Sequence, residues 1–153
     1  MEPEQKKTKD GRDYTIRIAS ANAGQLVVEA LLEGDSSGLA GQLLVSIEQF
    51  QGEHTGFISQ IESNAGEDQG IGTALILYAE RFLVERGVPT VEVTYESEAA
   101  NFEKLRYFYE GKLHYKRKSS TPGPISRRTL FAGASVTHDV FGYCLSKRLI
   151  ESA

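Results

Sequence analysis

Gly70 and Gly72 are the residues whose spacing points most directly to chemistry. They open a segment in which Ile71, Ala74, Leu75, Tyr78, Phe82 and Leu83 recur at three- and four-residue steps, the apolar face of an amphipathic helix. A helix N-terminus presents unpaired backbone N–H groups together with the positive end of the dipole. With no Cβ at 70 or 72, an anion can approach that backbone closely, and a phosphate or pyrophosphate is the natural ligand. Many plain tight turns also contain a Gly-x-Gly pair, so the surrounding chain must decide.

Other chemistry-bearing residues are weaker signals. His54, His114 and His138 lack metal-ligand spacing and no Cys-x-x-Cys occurs, so no metal site is expected. The single cysteine, Cys144, cannot form an internal disulfide, which fits a reducing compartment, and it reads as a small buried hydrophobe. The His138-Asp139 pair has no nucleophile motif near it, which argues against a cysteine hydrolase. Taken alone, Tyr109 reads as a core aromatic of a helix and Asn101 as that helix's N-cap. Glu48, Glu62 and Glu96 are carboxylates near predicted strand ends, and none stands out as a base.

The elements that must position these residues follow from periodicity. The chain has 153 residues, enough for one domain with a real core. Residues 1–13 are polar and aperiodic and read as a flexible tail, leaving a single domain over 14–153. Tyr14 to Ile18 alternates as a strand, and residues 25–50 read as a hairpin whose turn is Gly34 to Gly38. A strand over 56–62 leads to the glycine pair and its helix, which Gly87-Val88-Pro89 ends. Val91, Val93 and Tyr95 make another strand, and Asn101 starts a second helix over 101–110. A strand over 113–118, a Pro/Gly/Ser loop over 119–126, an aperiodic stretch over 127–134 and a last strand over 141–149 complete an α+β (mixed α/β) domain.

Charge is unevenly distributed. Residues 1–110 carry 19 acids and nine bases, whereas residues 111–153 carry two acids and eight bases. Lys112, Lys116, Arg117, Lys118, Arg127 and Arg128 fall in a stretch without acids, either a solvated strand edge or an anion- or partner-docking surface. The acidic body argues against non-specific nucleic-acid binding. No apolar run approaches the ~18 residues of a membrane helix, and the N-terminus lacks a signal-peptide apolar region. A cytoplasmic protein without membrane contact is expected.

The order of elements resembles the Gcn5-related N-acetyltransferases, the GNAT superfamily, over roughly residues 14–149. Glu67-Asp68-Gln69-Gly70-Ile71-Gly72 stands where that family has Arg/Gln-x-x-Gly-x-Gly/Ala opening its central helix. Asn101 and Tyr107-Phe108-Tyr109-Glu110-Gly111-Lys112-Leu113 stand where it has an asparagine and a helix bearing Tyr-Glu-Lys-x-Gly-Phe. The resemblance implies a central mixed, mostly antiparallel sheet flanked by helices, with acetyl-CoA as co-substrate. It further implies that backbone N–H groups of Gln69, Gly70, Ile71, Gly72 and Thr73 hold the pyrophosphate. A backbone amide near Ile61 would polarise the thioester carbonyl. Asn101 would bond the pantetheine arm, and Tyr109, or Tyr107 or Phe108 in its place, would occupy the position of the acid for the departing thiolate. Lys104 or Arg106 could reach the nucleotide phosphates. The acceptor would be an amine on a small molecule or a protein, and a homodimer is within what the fold allows. The other reading is a catalytically silent module that docks through residues 112–128; Gly70 and Gly72 favour the enzyme, Glu67 and Asp68 the module.

Overall fold

The computed structural model describes residues 1–34, 38–64, 69–131 and 134–151. Among them it forms nine strands and two α-helices, the second running on into a π-helical turn, an α+β fold. They gather into two compact units, residues 1–91 with 148–153 and residues 92–147.

The first unit holds β1 (Glu4–Lys7), β2 (Asp13–Ala21), β3 (Gln25–Leu32), β4 (Leu39–Phe50), β5 (Glu53–Ser63) and helix α1 (Ile71–Glu85). Along these five strands, consecutive neighbours from β1/β2 to β4/β5 pair antiparallel. The flexible tail expected over residues 1–13 is corrected here, because Glu4–Lys7 pairs with Asp13–Ile16 as an edge strand. A short, charged edge strand carries no apolar alternation, since its charges discourage further pairing. The 25–50 hairpin forms as β3 and β4; of its predicted turn, residues 35–37 lie outside the described residues. No helix intervenes between β2 and β3. The Asn22 side chain closes that turn by accepting the Gly24 and Gln25 N–H groups, each at 2.9 Å.

Alternation along the strands buries Tyr14, Ile16, Leu26, Val28, Ala30, Leu43 and Val45, and α1 covers them. The predicted face of α1 is buried except for half-buried Ala74. Ile76, Ala79 and Glu80 are buried as well, so the helix turns a wider stripe inward than three- and four-residue spacing suggests. At its C-terminus Gly87 N–H donates to Val84 C=O and Val88 N–H to Leu83 C=O, the paired bonds of a Schellman cap.

Most of β6 (Thr90–Glu96) lies in the second unit, with α2 (Phe102–Arg106), the π-turn (Tyr107–Lys112), β7 (Lys116–Arg117), β8 (Gly123–Phe131) and β9 (Ala134–Arg148). Several sequence expectations are corrected here. The helix over 101–110 is five α-helical residues followed by six π-helical ones. The strand over 113–118 shrinks to two residues. The loop over 119–126 and the aperiodic 127–134 lie largely in a hairpin whose register runs from Gly123 opposite Gly142 to Phe131 opposite Ala134. Ser, Thr, Arg, Gly and Pro interrupt the apolar residues of that stretch, so no alternation announces the strands. Among the described residues no helix is long and apolar enough to cross a membrane.

Candidate functional site

In the first unit the candidate site is the entry to α1. Gly70 is the N-cap, with φ 83° and ψ 1°, a left-handed conformation that disfavours any side chain. The first turn of α1 contains no acidic residue, and no side chain caps it. The first intrahelical bond here is Ala74 N–H to Gly70 C=O at 3.1 Å, so the N–H groups of Ile71, Gly72 and Thr73 have no intrahelical acceptor. Glu67 and Asp68 lie outside the described residues.

Tertiary packing fixes this entry from two sides. A Cβ on Gly41 would stand 2.8 Å from the Glu62 carbonyl oxygen and 2.9 Å from Ile71 Cγ2. Only a glycine in β4 therefore lets the first turn of α1 sit so close to β4 and the end of β5. On the other side, the Gln69 side-chain oxygen accepts the Asp10 N–H at 3.1 Å. Asp10 belongs to a tightly bonded β1–β2 turn, in which buried Thr8 donates to its carboxylate and Arg12 Nε lies 2.9 Å from it. The hydrogen bonds from Arg12 and Thr8 hold the Asp10 carboxyl below the usual carboxylate range. Farther along α1, the Tyr78 hydroxyl donates to Glu2 C=O at 2.9 Å and Arg81 grips the Glu4 carboxylate at 2.7 and 2.8 Å. The sequence reading missed this fastening, which unites residues more than 50 positions apart.

Ile61 lies on β5 opposite Leu43, two residues beyond a register slip at which Ser59 is the unpaired extra residue. Such a bulge bends a strand and re-aims its backbone groups. Glu48 and Glu62 are exposed, and Glu62 accepts a hydrogen bond from Gln60.

In the second unit, Asn101 and Tyr109 share one helical segment. Asn101 is the N-cap of α2 by position, but it is exposed and its side chain makes no capping bond. Tyr109 sits in the π-turn and is only 5% exposed, whereas neighbouring Tyr107 is 64% exposed. The Tyr109 ring lies nearly parallel to Tyr95, 6.2 Å between centroids and 13° between planes. Tyr115 and Phe108 meet it edge-on at 6.2 and 4.9 Å. Beside it the buried Tyr95 hydroxyl donates to Glu110 and accepts from Arg117 Nη2 at 3.3 Å. Arg117 Nε stands 3.0 Å from the other Glu110 oxygen, an ion-pair contact rather than a linear hydrogen bond. Its guanidinium carbon lies 3.7 Å over the Tyr143 ring, a cation–π contact. Burial first, and then the Glu110 carboxylate, push the Tyr95 hydroxyl up to about 12. Glu110 also borders an open cavity of about 380 Å³ with Glu103, Arg106, Tyr107 and Gly111.

The sequence reading missed this network. Its one legible signal is a tyrosine at an inward strand position, because a buried phenol needs a polar partner. Of the other expected residues, Arg106 lies 3.8 Å from the Glu103 carboxylate, and Lys104 is on the same helix α2. Lys118 Nζ pairs with Glu92 at 3.1 Å. Cys144 is half-buried, with its thiol 3.5 Å from Glu92 and pushed up by burial. The side chains of Arg127, Arg128 and His138 lie outside those described. No cluster of three or more potential metal ligands occurs among the described residues.

Comparison with protein-family models gives no match, and comparison with curated proteins gives none. Solved structures do match. An aminoglycoside 6'-acetyltransferase type Ii aligns at TM-score 0.59 and 21% identity, over 86% of this chain and 74% of that one. A GNAT-family acetyltransferase from Streptococcus pneumoniae aligns at 0.58 and 16%, over 84% and 69%. NAA60 from Arabidopsis thaliana, solved with acetyl-CoA, aligns at 0.59 and 13%, over 83% and 77%. At such identities the likeness is one of fold. The chain has the fold of the Gcn5-related N-acetyltransferases.

Proposed function

We propose that the chain is an acetyl-CoA-dependent N-acetyltransferase that passes the acetyl group directly to an amine, on a small molecule or on a protein. The observation that carries the reading is the entry to α1. A left-handed glycine cap and a first turn free of acidic residues suit an anion, on a fold shared with acetyltransferases. One of the similar proteins was solved holding acetyl-CoA.

In the first unit, the N–H groups of Gln69, Gly70, Ile71, Gly72 and Thr73 hold the pyrophosphate. The backbone amide near Ile61, just past the bulge at Ser59, polarises the thioester carbonyl. In the second unit, Asn101 bonds the pantetheine arm through a side chain that makes no capping bond. Tyr109 gives its proton to the departing thiolate. The amine must be neutral to attack the carbonyl carbon, so its ammonium form first loses a proton, and a second proton leaves after the C–N bond forms. The C–S bond then breaks to leave the amide and CoA. A cytoplasmic setting suits the single cysteine.

The alternative, a silent docking module, is weakened because Arg117 and Lys118 of its basic stretch are engaged by Glu110 and Glu92 within the unit. The test is calorimetric titration with acetyl-CoA and with free CoA. Micromolar binding is expected, and Gly72→Glu should abolish it while leaving the circular dichroism spectrum and thermal midpoint unchanged. No binding by the unaltered protein at millimolar ligand would sink the enzyme reading.

A further inference from the structure

We propose that Glu110, latched by Tyr95 and Arg117, is a positioning residue that sets the orientation of Tyr109; the inference rests on the reading of Tyr109 as the acid. Three aromatic residues, Tyr107, Phe108 and Tyr109, follow one another, and local helical phase decides which ring turns inward. The helix changes from α to π at Tyr107, and Leu113 N–H closes on Phe108 C=O at 3.2 Å, five residues back. Such π-turns are rare and concentrate at functional sites. Within this one, Tyr109 is buried while Tyr107 stays in solvent.

Residue 110 is gripped from two strands. Tyr95 of β6 donates its hydroxyl to Glu110, and Arg117 of β7 pairs with the same carboxylate. Tyr95 also carries the ring that lies parallel to Tyr109. A single side chain thus holds Glu110 by its hydroxyl and Tyr109 by its face. Arg117 is itself held over Tyr143, so the latch has little freedom.

Stability alone is a poor account of this arrangement. The pair is half-buried, its side chains 24% and 23% exposed, and such a pair adds little net stability because solvent screening and partial desolvation offset the attraction. Arg117 Nε, buried without a linear hydrogen bond, adds to that cost. A rare π-turn and an ion pair of little net stability coincide at the Tyr109-Glu110 dipeptide, and what they jointly define is one orientation of one ring. An acid that must protonate a leaving sulfur needs that definition, since a misplacement of about 1 Å can cost ~100-fold in rate.

The test uses Tyr95→Phe, which keeps the stacked ring and removes the hydroxyl, and Glu110→Gln, which keeps shape and an acceptor but removes the charge. Release of CoA from saturating acetyl-CoA is followed with water alone and with a simple primary amine at high concentration. Each variant should lower kcat about tenfold while leaving KM for acetyl-CoA and the calorimetric affinity for CoA unchanged. In a Tyr109→Phe background neither change should lower kcat further. Full kcat in both variants, or an undiminished loss in the Tyr109→Phe background, would overturn the positioning role and leave the enzyme reading standing. Full kcat in Tyr109→Phe itself would overturn both the acid assignment and this inference.

Discussion

At the start of α1 the candidate site is made of backbone: a left-handed glycine, N–H groups without an intrahelical acceptor and the positive end of a helix. In the second unit the candidate residues are side chains, with Tyr95 parallel to Tyr109 and bonded to Glu110, and Arg117 pairing with Glu110 from over the Tyr143 ring. A backbone site needs residues that stay out of the way, and neighbours that let the helix approach. A side-chain site needs several bulky groups aimed at one another from separate elements. The two should therefore fail differently, the first through added atoms and the second through removed ones.

The largest expected effect comes from adding atoms under α1. Gly41→Val should cost about 3 kcal/mol or more, because overpacking against a backbone oxygen cannot be relieved by a rotamer change. Denaturant unfolding measures that cost, and the donor affinity of the remaining folded protein should fall with it. If Gly41→Val unfolded at the same denaturant concentration as the parent, close approach would not be what positions the loop.

Next comes the proton on Tyr95. Its folded value is raised from 10.0 to about 12, so the folded state retains a proton that the unfolded chain gives up. The associated stability is complete below pH 10 and is lost as pH rises through about 12. The loss amounts to about 2–3 kcal/mol. Unfolding curves taken across that window should show the fall in the parent and less of it in Tyr95→Phe. Equal slopes would place the hydroxyl outside the buried network.

The smallest effect belongs to the surface. Arg81→Ala breaks the Glu4 pair, whose side chains are 49% and 37% exposed, and should cost no more than about 1 kcal/mol and less in high salt. A larger loss would mean that the N-terminal strand braces α1 much more strongly than an exposed ion pair can.

Legibility followed the same division. Helix α1, its glycine entry and its Gly87 end could be read because helical periodicity and glycine chemistry are local. The β3–β4 hairpin and β6 were legible for the same reason. The edge strand β1 was not, because Glu-Gln-Lys-Lys differs little from a solvated tail until Asp13–Ile16 pairs with it. Nor was the β8–β9 hairpin, whose polar residues pair across a register that no apolar pattern announces. The π-turn was hidden as well, since Tyr107 to Lys112 suits an α-helix equally and only the bond from Leu113 to Phe108 distinguishes them.

The sequence by itself determined where an anion could meet the backbone, because two glycines and an amphipathic helix create that feature within a few residues. It also determined the α+β order of elements, through the periods of its apolar residues. Only the tertiary structure decided that Gly41 makes room for α1, that Asp10 anchors Gln69, and that Tyr95 and Arg117 meet at Glu110. Each of those joins residues far apart in the chain, and their meeting depends on strand register and side-chain direction, quantities that exist only once the chain has folded.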